Sequence, residues 1–165
     1  MKIRLLVSLV ITLLAVAQTA AADGLRNDYS TDEIINMLKA EGYGAVTEVE
    51  SDDDSRYIEI KVDGLTYSMQ VFDDGDLLLY FGMTGFDLTH RDINEWNRQQ
   101  RLSRAYLDHE NDPVLESDLL ADAGYNAEHL ARFVRIFLDS ADVYREFLVN
   151  MDGGDVADGS ATESI

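Results

Sequence analysis

The sequence predicts an α+β protein: a single domain with a mainly antiparallel sheet and the element order α-β-β-β-β-α-β-β-α. Three observations carry that prediction. Around an Asp63-Gly64 pair, apolar and polar residues alternate with a period of two over residues 56–71, as in a half-buried hairpin. Two further stretches open with helix-capping signals, at Ser30 and Thr89. A third, from Asn126, repeats apolar residues at intervals of three and four, the period of a helix with one buried face. Strands come in runs, which favours an antiparallel sheet over a parallel α/β arrangement.

The first helix spans Ser30 to Lys39, where Ser30 caps the start, Glu33 completes a capping box, and Ile34, Ile35 and Leu38 form the apolar stripe. Gly42 and Gly44 stop it, since glycine takes the backbone angles of a helix end and is costly inside one. Residues 45–82 are strands. The two-residue turn Asp63-Gly64 sets Val62 against Leu65, Ile60 against Tyr67 and Ile58 against Met69, with both apolar sets on one side. A second turn, Asp73 to Asp76, leads into Leu77 to Gly82. If Phe72 opposes Leu77, Met69 meets Tyr80, and Leu79 and Phe81 lie on the other side. A strand so apolar on both faces calls for cover by a helix or by a second copy of the chain.

Thr89 caps the second helix, with Asp92 at its third position and Leu88 against Ile93 as a hydrophobic staple; it runs to about Gln100. Arg101 to Asp108 alternates as a strand, and Pro113 to Leu120 returns as its partner across His109 to Asp112. Pro113 suits the first position of a strand, preferably at an edge. The last helix starts at Asn126 and carries Leu130, Phe133, Val134, Phe137, Leu138, Ala141, Tyr144, Phe147 and Leu148 on its apolar face. The domain so defined covers residues 30–150, and residues 151–165, rich in Gly, Asp, Ser and Ala, are expected to form a disordered acidic tail.

Residues 1–22 have the form of a secretory signal peptide: Lys2 and Arg4, an apolar run from Leu5 to Ala17, then small residues ending in Ala20, Ala21 and Ala22. The run is short for a membrane span, so cleavage before Asp23 leaves no stable span and an exported protein, periplasmic or secreted. The chain contains no cysteine, so its core alone must hold it outside the reducing cytoplasm. Its formal charge is −19 over 165 residues, a surface that repels nucleic acid.

Chemical motifs are sparse. The aspartates at 52–54, and Asp73, Asp74 and Asp76, offer hard oxygen atoms to calcium but lack the spacing of an EF-hand loop, so solvated turns are the preferred reading and no metal site is assigned. His90, His109 and His129 show no zinc-binding spacing. There is no GxSxG elbow, phosphate-cradling glycine loop or cysteine nucleophile. The expectation is a protein that is not an enzyme and uses no cofactor.

The most distinctive stretch is INEWNRQQRLSRAYLD, residues 93–108, with the chain's one tryptophan and, in an acidic chain, the arginines Arg98, Arg101 and Arg104 following Arg91. Two readings stand. The arginines form a basic patch that docks an acidic peptide, or they tie helix and strand to acidic neighbours while Trp96 fills core and Asn97 hydrogen-bonds backbone. Packing is preferred, because buried Trp and Asn usually serve it.

This stretch, followed by DPVLESDL, resembles the YbjN family of bacterial sensory transduction regulators. The matching residues are Asn94, Trp96, Asn97, Arg98, Arg101, Tyr106, Asp108, Asp112, Leu115 and Glu116, and the similarity covers about residues 30–148. The resemblance implies a fold like that of type III secretion chaperones, an α/β sandwich that often dimerises and binds other polypeptides without catalysis. It therefore implies a protein or peptide partner and a homodimer. The chain departs from familiar members in its export signal and in the turn at 109–112, which lacks the glycine expected there and so should differ in shape. The alternative function is that of an acidic calcium or small-cation binder.

Overall fold

A computed structural model describes residues 24–51 and 55–152; the signal-like segment 1–22, the aspartates 52–54 and the tail from 153 lie outside the described residues. The elements are α1 (Thr31–Ala40), β1 (Ala45–Glu50), β2 (Arg56–Val62), β3 (Leu65–Val71), β4 (Leu77–Gly82), α2 (His90–Gln99), β5 (Arg104–Leu107), β6 (Pro113–Leu119) and α3 (Ala127–Asp152). The predicted order is the observed one.

Local chemistry sets the element ends. Ser30 Oγ accepts the Glu33 N–H and the Glu33 carboxylate accepts the Ser30 N–H; Thr89 and Asp92 repeat the arrangement at α2. At the far end of α1, Tyr43 N–H reaches Leu38 O and Gly42 N–H reaches Lys39 O. This is a Schellman close, with Gly42 at φ +104°. Asn126 Oδ1 accepts the His129 N–H to start α3.

All six strands join one antiparallel sheet in the order β1-β2-β3-β4-β6-β5. Asp63 and Gly64 both have positive φ, a type I′ turn, and the register matches the expectation: Val62 with Leu65, Ile60 with Tyr67, Ile58 with Met69. The next hairpin does not. Phe72 pairs with Asp76 (N–H to O, 3.0 Å) and Phe72 O accepts the Gly75 N–H, so the loop has three residues, ending on Gly75 at φ +89°. The register shifts by one from that expected: Val71 faces Leu77, Met69 faces Leu79 and Ser68 faces Tyr80. Leu77, Leu79 and Phe81 all point into the core.

β4 therefore needs no helix on its second side. Leu78 and Tyr80 lie there half-buried, beside Tyr57, Ser68 and Gln70. Residues of α1, α2 and α3 share the core cluster with the inward-facing strand residues, making a two-layer molecule with a helix layer on one face of the sheet. Pro113 opens β6 as expected, yet β6 lies between β4 and β5 rather than at an edge. β5 is also shorter than the expected 101–108 strand, because Leu102 turns to φ +68° and breaks the alternation. The helix α3 reaches Asp152, past the expected start of the tail at 151.

The polar lead before α1 takes part in the fold, which its sequence does not announce. Arg26 and Tyr125 form an isolated antiparallel bridge, the Tyr29 and Tyr125 rings lie 5.0 Å apart, and the Arg26 guanidinium stands over Tyr29. Asn27 also presses its carbonyl onto Gly75.

Gly75→Ala should cost about 3 kcal/mol, because a Cβ there overlaps the Asn27 carbonyl and φ is positive. Gly64→Ala, with open space around its Cβ, should cost about 1 kcal/mol. Urea unfolding of both variants measures the difference. A second expectation concerns acid. Accepting the Ser30 N–H, helped by Arg26, holds the Glu33 carboxyl below its ordinary 4.5, and the Thr89 hydroxyl and N–H hold Asp92 below its ordinary 3.8. Both carboxylates favour the folded state when ionised. Their contribution is present above those values and fades as pH falls through the lower folded-state values. Urea midpoints should decline below pH 4.5, and Glu33→Gln with Asp92→Asn should flatten that limb.

Candidate functional site

Helix α2 positions the motif residues by its period. Trp96, 1% exposed, points into α3, with its ring 4.8 Å from Tyr144 at a steep angle and 5.6 Å from Phe147. Asn97, one position on, faces β5. Its Nδ2 donates to Ala105 O at 2.9 Å and its Oδ1 accepts the Ala105 N–H at 2.8 Å. A side-chain amide thus pairs with the outer edge of β5 as a neighbouring strand residue would, satisfying both polar groups of a buried residue. Asn94 stands exposed on the helix.

The arginines do not converge. Arg98, its side chain 76% exposed, pairs within the helix with Glu95 at 2.7 Å, and Arg101 is exposed beyond the helix end. Arg104 is the structural one. Its Nε and Nη2 both lie 2.9 Å from Oε2 of Glu116, and Nη1 is 3.7 Å from Asp118. The Tyr106 hydroxyl donates to the other Glu116 oxygen at 2.7 Å. Glu116 is 7% exposed, and these charge-assisted bonds offset the cost of burying its carboxylate. Burial, then the bond to Glu116, pushes the Tyr106 phenol well above its ordinary range, so it stays a donor at neutral pH. Trp96 thus lies in the core, Asn97 bonds the backbone of β5, and Arg104 and Tyr106 are tied to Glu116.

Where β5 ends, a groove opens that the sequence does not reveal. It is about 490 Å³ in volume, and its lining includes the apolar Leu102, Leu119, Phe133 and Ile136 together with Arg104 and Arg132. Leu102 is 66% exposed and held in the left-handed region, where its carbonyl accepts the Ser117 hydroxyl at 2.6 Å. Its neighbour Ser103 meets Ser140 of α3 at 2.9 Å. An apolar side chain in a strained backbone, pointed at solvent, is a conformation that packing alone does not explain. No period predicts it; read as strand, Leu102 was an ordinary alternating residue.

Asp74 accepts the Asp76 N–H and Asp76 accepts the Ala121 N–H from 45 residues away, so these carboxylates brace loops. Among the described residues, the carboxylates able to share a cation are instead Asp108, Glu110 and Asp112, within 4.8 Å of one another. That turn solves its missing glycine with Asn111 at φ +65°, asparagine being one of the few residues that tolerates it.

Asn97→Ala should destabilise by about 2–3 kcal/mol, since it leaves the Ala105 N–H and C=O buried and unpaired. Leu102→Asn should do the reverse, raising stability by roughly 0.5–1 kcal/mol through relief of backbone strain. Denaturation midpoints of the two variants read both effects.

Comparison with known proteins gives three results. No curated protein matches the chain at a significant level. Among solved structures, the Yersinia pestis type III secretion chaperone SycH, crystallised in complex with a stable fragment of YscM2, is similar with a TM-score of 0.48 and 14% identity, covering 67% of this chain and 98% of that one. The profile of the YbjN family, described as "Putative bacterial sensory transduction regulator", matches residues 30–149. That span takes in every element from α1 to nearly the end of α3, together with the Trp96–Asn97 clamp and the Arg104–Glu116–Tyr106 network, and the chain belongs to the YbjN family.

Proposed function

We propose that this chain is an exported, non-enzymatic binding or regulatory protein of the YbjN type, dimeric in solution, that engages a protein or peptide partner in the cell envelope. The observation that carries the reading is the apolar groove between β6 and α3, with Leu102 exposed on its wall. Apolar surface held open at a cost in backbone strain is the mark of a surface kept for contact. The polar network nearby is consumed by its own pairing, Glu116 being bonded to Arg104 and Tyr106. Support for export comes from the N-terminal signal pattern, and no helix among the described residues is long and apolar enough to cross a membrane.

The alternative, calcium or small-cation binding, would rest on Asp108, Glu110 and Asp112. One of those carboxylates is already in use: Asp108 accepts the N–H groups of Glu110 and Asp112 at 2.9 Å each, which is turn chemistry. Calcium should leave the melting temperature unchanged; a rise that grows with calcium concentration would favour the alternative.

For the main reading, intact mass of the protein from envelope fractions should give an N-terminus at Asp23. In a pull-down from those fractions, partner recovery should survive the Arg98→Ala/Arg101→Ala double substitution, because neither residue lines the groove, and should fall with Arg132→Glu. A chain that keeps residues 1–22 in the cytoplasm, or recovery lost with the first variant and kept with the second, contradicts the proposal.

A further inference from the structure

The sheet's β5 edge is closed along part of its length and open along the rest. β5 pairs with β6 from Leu107↔Pro113 to Arg104↔Glu116 and stops, and the Asn97 amide covers the outer side of β5 at Ala105. Antiparallel pairing alternates the side to which each residue directs its N–H and C=O. Pro113 O bonds to Met83 N–H on the β4 side and Asp112 O to Asp108 N–H on the β5 side. Even-numbered residues of β6 therefore face β5, and the next after Glu116 is Asp118. Leu102, the residue that would have paired with it, has turned away into the left-handed region. Asp118, an exposed residue beyond the last β5 pair, lines the apolar groove at this point, and Leu120, 68% exposed, follows at the next position of the same parity.

We propose, building on the partner-binding reading above, that this place takes an extended peptide segment as an additional strand against residues 117–119. The segment lies along β6, bonded to the Asp118 backbone, and sets one apolar side chain between Leu102, Phe133 and Ile136. A carboxylate on the segment meets Arg132, which makes no ion pair among the described residues and lines the groove. Arg104 is already neutralised by Glu116 and Asp118, and the chain as a whole carries −19. The local cation therefore suits a single carboxylate, and heavily acidic segments are repelled by the rest of the surface. Main-chain pairing supplies affinity and the pocket supplies selectivity.

The test is a display library of random eight-residue peptides selected on the full chain, followed by anisotropy with the enriched synthetic peptides. The expected enrichment is one Leu, Ile or Phe beside one Asp or Glu. Affinity should fall about tenfold with Arg132→Glu and about tenfold with Leu102→Asn, although the latter raises stability, so the loss cannot be ascribed to unfolding. N-methylation of the peptide amides that pair with β6 should also weaken binding about tenfold. Enriched peptides that bind both variants and the N-methylated form unchanged overturn this site while leaving the partner-binding reading intact. No enrichment over an unrelated acidic protein overturns both. Binding seen only after deletion of residues 153–165 assigns the groove to the chain's own C-terminal segment. Self-association abolished by Arg132→Glu, with no peptide bound, assigns it to a second copy; either result also overturns the proposal.

Discussion

The pair of hydrogen bonds from Asn97 to Ala105 is the constraint on which the rest of the molecule leans. β5 is four residues long and stands at the edge of the sheet. An edge strand presents unpaired N–H and C=O groups that invite pairing with other chains. Here the amide of a helical residue supplies the missing neighbour. The same turn of α2 drives Trp96 into Tyr144 and Phe147 of α3, so strand, helix layer and core are joined through two consecutive residues. Removing either has a different physical meaning: Trp96 contributes buried area and ring packing, worth several kcal/mol, whereas Asn97 contributes satisfaction of a buried backbone.

On the opposite face of the sheet, stability has another source. No helix among the described residues covers it, and Leu78, Tyr80 and Tyr57 lie half-buried there beside the buried Glu116. Gly82 has a role in this. A Cβ there would stand 3.0 Å from the Tyr80 hydroxyl, so the glycine leaves room for the ring to lie along its own strand. The Tyr80 phenol is pushed up by burial and by Asp108, Glu116 and Asp112, which keeps it neutral. The face is polar at its margins, in contrast to the apolar helix side.

Much of this was legible in the residues, for identifiable reasons. Both capping boxes, the Asp63-Gly64 register and the α3 stripe are local: each depends on residues within one turn or one hairpin, and local rules hold there. The errors came where local rules compete. Asp73 to Asp76 can close as a four- or a three-residue loop, and Gly75 under the Asn27 carbonyl selects the latter. That tertiary contact has no signature in the hairpin itself. A backbone hydrogen bond from Asn97 could be anticipated, because an asparagine at a helix end commonly bonds nearby backbone; that it bonds the buried Ala105, while itself lying exposed, could not. The motif arginines looked like one patch in a linear string, and helix and strand geometry sends Arg98 and Arg104 to different acidic partners. The groove was invisible, being made by residues from three separated segments and by one leucine in an uncommon conformation.

Amide hydrogen exchange at Ala105 tests the central claim most directly. If the Asn97 side chain completes the edge of the sheet, the Ala105 N–H is protected to nearly the same degree as Met69 N–H in the middle of the sheet, although Ala105 lies on an edge strand. Exchange at Ala105 as fast as at the exposed ends of β5 would show that the clamp does not persist in solution. α2 would then be docked by Trp96 alone, which would contradict the account.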